Sequence, residues 1–229
     1  MAHASFKVLF SAAALAVVAT SSLAAPVSLG TIAHDYGQGL GKTTPTSNLQ
    51  ANGPTYCDTV NSNSVTVRTR ASAVTAGIIP NAGTYCQPFA DRFDFSGLTY
   101  ASITSFVLTI DYSNTNQFGE AWRVRSAAGL INAPAATSST AIASSAANSQ
   151  SFIFTSASLG APLFNSIVNG GRYYMWFQNA GGGNNNFALN SAQLEVFGNR
   201  ADVPEPGSLA LVGLALVGLA SVRRSGRSA

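Results

Sequence analysis

The chain reads as an all-β protein, a single β-sandwich ectodomain of jelly-roll type set between two apolar ends. Three observations lead there. Apolar and polar residues alternate along several short segments, no stretch between the ends keeps a helical period, and turn-forming residues punctuate the segments at sandwich-like intervals.

At the N-terminus, Lys7 precedes Val8 to Ala19, an almost unbroken apolar run, and Ser22-Leu23-Ala24 sets small residues three and one before a cut. Cleavage after Ala24 makes residues 1–24 a signal peptide. Cutting one residue later would put Pro26 next to the scissile bond, where its ring and missing N–H suit a protease poorly. The alternative is a retained anchor, for which the run is short.

Residues 25–202 form the expected sandwich, one domain long enough for its own core. Ser64 to Arg70 places Val65 and Val67 on one face and Thr66, Arg68 and Arg70 on the other. Ile103 to Tyr112 is the strongest strand, with Phe106, Leu108, Ile110 and Tyr112 on one side, and belongs inside a sheet. Further strands are expected at 121–126 with Trp122 and Val124 inward, and at 151–156 with Phe152 and Phe154 inward. Two more fall at 172–178, with Tyr173, Met175 and Phe177 on one face, and at 192–198, with Leu194 and Val196. Asn169-Gly170-Gly171 can take positive φ, and Asn179 to Asn186 reads as a loop. Residues 37–54 and 133–150 read as long surface loops.

Cys57 and Cys86 lie in near-duplicate contexts, Thr55-Tyr56-Cys57 and Thr84-Tyr85-Cys86, separated by 29 positions. In an oxidising compartment such a pair is expected to close, contributing about 3.5 kcal/mol through loop entropy. Two metal-binding thiolates are the competing view, and His34 is the only histidine left to assist them once the signal is removed.

The pI near 9.1 invites an anionic-partner reading that counting removes. From 25 to 202, Lys42, Arg68, Arg70, Arg92, Arg123, Arg125, Arg172 and Arg200 face Asp35, Asp58, Asp91, Asp94, Asp111, Glu120, Glu195 and Asp202, eight against eight. The domain is neutral, and no nucleic-acid partner is expected.

Catalytic groups are sparse, and we expect no enzyme and no cofactor. His34 has no nucleophile motif beside it and reads as a surface histidine. Asp91 and Asp94 are the nearest approach to a carboxylate pair, but three positions apart on a strand they face opposite sides, and Arg92 between them suggests charge balance. Asp111, Asn114 and Asn116 offer oxygens at a turn without the spaced carboxylates that hold Ca²⁺, so no metal site is expected. Tyr174 and Trp176 alternate against Tyr173, Met175 and Phe177. If exposed they would stack on sugar rings, with Asn184, Asn185 and Asn186 near enough to bond hydroxyls, as in a carbohydrate-binding module. If both strand faces are covered they are core.

At the C-terminus, Val203-Pro204-Glu205-Pro206-Gly207 leads into an uncharged run from Leu209 to Val222, followed by Arg223, Arg224 and Arg227. A helix over 207–222 would be about 24 Å long, enough to cross a bilayer if arginines snorkel and the membrane thins. Positive charges remain inside, so the domain lies outside. This three-part order over residues 203–229 resembles the PEP-CTERM sorting domain of Gram-negative bacteria that make extracellular polysaccharide. The resemblance implies that an exosortase, a membrane-embedded cysteine transpeptidase, recognises Pro204-Glu205-Pro206 and cuts nearby. With signal peptidase as a second partner, it implies a membrane-anchored precursor released to the surface or matrix, in company with exopolysaccharide or biofilm. An ordinary tail anchor is the alternative and has no need of the triplet. Phe89-Ala90-Asp91-Arg92-Phe93 also matches the FxDxF label of a group among such proteins, a weakly specific pattern with two wildcards in five positions.

Overall fold

Alternation decides the strands. In a computed structural model that describes residues 25–49, 57–78, 80–81, 88–130, 139–181, 185–201 and 215, every second side chain from Phe106 to Tyr112 is buried, as the period of two requires. The strands in chain order are β1 (Val27–Asp35), β2 (Thr59–Val60), β3 (Val65–Arg68), β4 (Ala90–Asp94) and β5 (Ser102–Ser113). They continue with β6 (Trp122–Ala127), β7 (Ser139–Ala141), β8 (Ala147–Thr155), β9 (Arg172–Asn179) and β10 (Asn186–Asn199).

All named strand pairs are antiparallel. One sheet runs β2-β3-β10-β5-β8, with β1 also on β10, and the other runs β4-β9-β6-β7. The long β10 is the organising strand. Its one edge pairs with β5, while its other edge takes β3 opposite residues 186–189 and β1 opposite residues 191–198. From β3 onward the chain passes from one sheet to the other at almost every step; only β6 to β7 stays within a sheet.

A single apolar cluster joins the two sheets. Tyr173 of β9 lies 5.7 Å from Phe106 of β5 and 5.9 Å from Phe154 of β8, ring centre to ring centre, and Phe187 of β10 meets Trp122 of β6 at 4.8 Å. Such aromatic pairs add about 0.5–1.5 kcal/mol each beyond the area they bury. The Tyr173 hydroxyl is satisfied by Ser126 Oγ at 2.6 Å, and burial pushes its phenol pKa up.

The inward residues expected of the sequence segments are buried, and β5 is flanked on both sides. Two expectations need correction. The all-β reading overlooked α1 (Arg70–Thr75), α2 (Ser156–Leu159) and α3 (Ala161–Gly170), besides a 3₁₀ turn at Thr46–Leu49. Thr155 and Ser158 form a capping box, Pro162 sits in the first turn of α3, Phe164 and Ile167 turn inward, and Gly171 closes the helix at φ 61°. Ten residues are too few for the period to stand out. Residues 133–150 are also not one loop, since β7 and the start of β8 lie within them and Ile142 is buried.

Residues 1–24, expected to be a signal peptide, Cys86, the triplet Pro204, Glu205 and Pro206, and the tail arginines Arg223, Arg224 and Arg227 lie outside the described residues. Among the described residues no helix is long and apolar enough to cross a membrane.

Candidate functional site

Strand β4 explains the Phe89-Ala90-Asp91-Arg92-Phe93 pattern physically. Its three named positions are those that face inward, and Phe89, Asp91 and Phe93 are all buried. Asp91 is a hub. Its Oδ2 accepts from His34 Nδ1 and from the Tyr36 hydroxyl, each at 2.6 Å, and its Oδ1 accepts from the Thr46 backbone N–H, the Thr46 hydroxyl and the Arg92 N–H, each at 2.9 Å. With a side chain only 2 % exposed, the carboxyl is pushed up by burial, but the His34 bond and charge, then Tyr36 and Thr46, outweigh this and hold it below the usual carboxylate range. It is therefore ionised and only accepts, so His34 Nδ1 carries the shared proton. Burial and then Asp91 raise the Tyr36 phenol well above its ordinary value, so Tyr36 remains a donor.

His34 is thus not a surface histidine. Its side chain is 17 % exposed and its ring stacks on Phe93 at 4.5 Å, because β1 lies along the seam between the sheets. Asp91 and Asp94 do face opposite sides, but Asp94 pairs with Arg172 at 3.2 Å rather than with Arg92. Both hydroxyls bonded to the His34–Asp91 pair give their protons to the carboxylate, which makes the cluster a clasp of β1, the 3₁₀ turn and β4. Asp111 lies on β5 rather than in a turn and accepts from Ser191 Oγ at 2.7 Å. Among the described residues no three His, Cys, Asp or Glu side chains gather as metal ligands.

The other candidate is the outer face of the second sheet, which carries Tyr174 and Trp176. The exposed stacking aromatics considered from the sequence are not found there. Tyr174 is 8 % exposed and Trp176 is 4 % exposed, packed with Ala90, Ala127 and Leu130. Asn185 donates to the Gly119 carbonyl, which anchors loop backbone, Asn186 donates to Ser72 Oγ on α1, and Asn184 lies outside the described residues.

Strand register lays this face out row by row. Gln178 stands opposite Arg123, Trp176 lies between Ala90 and Arg125, and Tyr174 lies between Arg92 and Ala127. Arg125 is 7 % exposed, its Nη1 donates to the Gln178 side-chain oxygen at 2.9 Å, and its Nε and the neighbouring Trp176 Nε1 are buried without acceptors. Two arginines two positions apart on β6 were the available sequence signal, but their lack of a counter-charge depends on which strands lie beside them. Elsewhere Asp58, with Oδ1 on the Arg68 N–H and Oδ2 unpartnered, has its pKa raised by burial, against the opposing pull of Arg68, to about 7. Cys57 beside it is buried, and no described cysteine is free.

The geometry so far defines a two-sheet β domain with a structural clasp and a cationic outer face, followed within a few residues by a segment of sorting character. Residues 202–225 match the family model of the PEP-CTERM protein-sorting motif. The motif implies an exported protein with a C-terminal membrane-anchoring signal, processed by an exosortase. No curated protein and no solved structure matches the chain.

Proposed function

We propose that this is a non-catalytic protein of the cell surface or extracellular matrix, a jelly-roll-like sandwich delivered by an exosortase and associated with exopolysaccharide. The sorting motif over residues 202–225 carries the reading. Sheet orders that alternate along the chain favour the jelly-roll description, and a histidine whose carboxylate partner is engaged by four other donors favours a structural role over hydrolysis. In the same oxidising compartment Cys57 pairs with Cys86, a reading favoured by the burial of Cys57.

The test expresses the full chain in cells with an active exosortase, beside a variant in which Pro204, Glu205 and Pro206 are alanine. Intact mass of wild-type protein from the matrix and medium should begin at Ala25, lack the tail and rise by two hydrogens on reduction. The triplet variant should stay with membranes. A variant that matures and partitions like wild type would overturn the sorting route, and glycan hydrolysis lost in Asp91→Asn would overturn the non-catalytic role.

A further inference from the structure

The acidic residues from 25 to 201 are Asp35, Asp58, Asp91, Asp94, Asp111, Glu120 and Glu195, and all seven lie among the described residues. Only Asp94 stands on the outer face of the second sheet, and it is paired with Arg172. Arg92, Arg123 and Arg125 share that face and form no ion pair among the described residues. Asp58 is on the other side of β3, bonded to the Arg68 N–H, and Glu120 accepts from Trp122 Nε1 and the Gln117 N–H. The domain as a whole is neutral, yet this face holds three cations that its own carboxylates do not answer.

Arg125 makes the point sharpest. A guanidinium taken out of water costs several kcal/mol unless an anion accompanies it, and among the described residues its one bonded partner is a neutral amide. Because Arg125 occupies the Gln178 oxygen, the Gln178 amide N–H₂ is left to point elsewhere, and Gln178 is exposed. The neighbourhood of Arg123, Arg125, Trp176 and Gln178 is therefore rich in hydrogen-bond donors, two of them buried without an acceptor. Burial also weakens screening, so the charge of Arg125 reaches the surface beside the exposed Arg123.

We propose that this face, centred on Arg123, Arg125 and Gln178, docks an acidic polysaccharide whose uronate carboxylates supply the missing counter-charge. Same-face positions on a strand are about 7 Å apart, so the exposed fork of Arg123 stands beside the buried charge of Arg125, whose Nη1 is held by Gln178. A polymer carrying carboxylates on repeated sugars fits this arrangement, with one carboxylate held by Arg123 in bidentate fashion and the charge of Arg125 adding attraction from below. The inference deepens the matrix reading above and rests on it for the presence of polysaccharide.

Full chain in mild detergent is run through native gels containing polygalacturonate, neutral dextran, dextran sulfate or no polymer, and is floated with anionic phospholipid vesicles. Retardation is expected in polygalacturonate and not in dextran, fading as salt rises. Arg123→Gln should weaken it about tenfold with an unchanged melting temperature. Arg125→Met should weaken it equally while raising the melting temperature, because an unpaired buried cation is removed. No retardation of wild type by polygalacturonate would overturn the proposal, as would equal retardation by dextran sulfate or equal capture by vesicles, either of which marks an unselective cationic patch. A lower melting temperature for Arg125→Met with retardation retained would assign Arg125 to packing and also overturn it. In each of these cases wild type would still partition to the matrix and the triplet variant would not, so the sorting and matrix reading would fail only in its own experiment.

Discussion

Replacing Asp91 with alanine should unfasten β1 and the 3₁₀ turn from β4. The substitution removes the acceptor for the fully buried Tyr36 hydroxyl, for the Thr46 N–H and hydroxyl, and for His34 Nδ1. Each buried donor left without a partner costs about 1–3 kcal/mol, and some of this is recovered because the desolvated carboxylate is gone. A net loss of about 4 kcal/mol follows, in the range found when one member of a buried pair is deleted. For a domain of this size that lowers the melting temperature by about 8–16 °C. Tyr36→Phe provides the internal check. In wild type it deletes a bond at 2.6 Å to a carboxylate and should destabilise by about 1.5–3 kcal/mol. In the Asp91→Ala background it removes an orphaned hydroxyl and should stabilise. Thermal unfolding by circular dichroism on the four chains closes the cycle, and an equal Tyr36→Phe effect in both backgrounds would refute the clasp. The acid limb has a fixed sign. With its folded pKa below the unfolded value of about 3.9, Asp91 contributes in full above that pH. The gap between wild type and Asp91→Ala should then stand in full at pH 5 and close as pH falls through the folded value.

Asp58 titrates the other way. Its folded pKa of about 7 exceeds the unfolded value, so its contribution is complete below about pH 4, declines as pH rises to about 7 and is flat beyond. Asp58→Asn should therefore stabilise at pH 8 by about 2–4 kcal/mol and be near neutral at pH 4, as read by denaturant midpoints. Gly171→Ala combines φ 61° with a Cβ 2.8 Å from Ser96 Cβ, while Gly160→Ala has φ 80° and open space. Each should cost about 2–3 kcal/mol by the same measurement, the first through the Ser96 contact and the second because φ 80° with ψ 138° lies outside the left-handed region that a side chain tolerates.

What the sequence disclosed and what it hid divide along a physical line. Strand faces are local, so Val65, Phe106, Trp122 and Tyr173 could be placed inward from alternation alone. Partnership is not local. His34 and Asp91 are 57 positions apart, and nothing near His34 announces the carboxylate that makes it part of the core. Trp176 stayed open between two readings for the opposite reason, since alternation sends it to the second face of β9 but says nothing of whether that face is covered; it is, as the core reading required. The charge count is a sum and carries no positions. Eight cations and eight anions cancel over the chain, whereas the fold places most of the uncompensated cations on one sheet and Asp111 and Glu195 on the other.

The position of β10 ties the fold to export. This last strand contacts β1, β3 and β5, so the first sheet cannot close until residues 186–199 have emerged from the translocation machinery. Four residues then separate Asn199 from Pro204, a reach of about 14 Å when extended. Register also sets Val27 opposite Gly198, so the first strand begins and the last strand ends at the same end of the sheet. Folding is therefore expected to finish only as the segment that follows Ala201 arrives at the membrane. Chains ending at Gly181 should be digested by protease as fast as unfolded protein, because β5 and β1 lose their shared neighbour, while chains ending at Ala201 should resist. Resistance of the shorter chain would mean that the sheet closes without β10, and the coupling between translocation and folding would not hold.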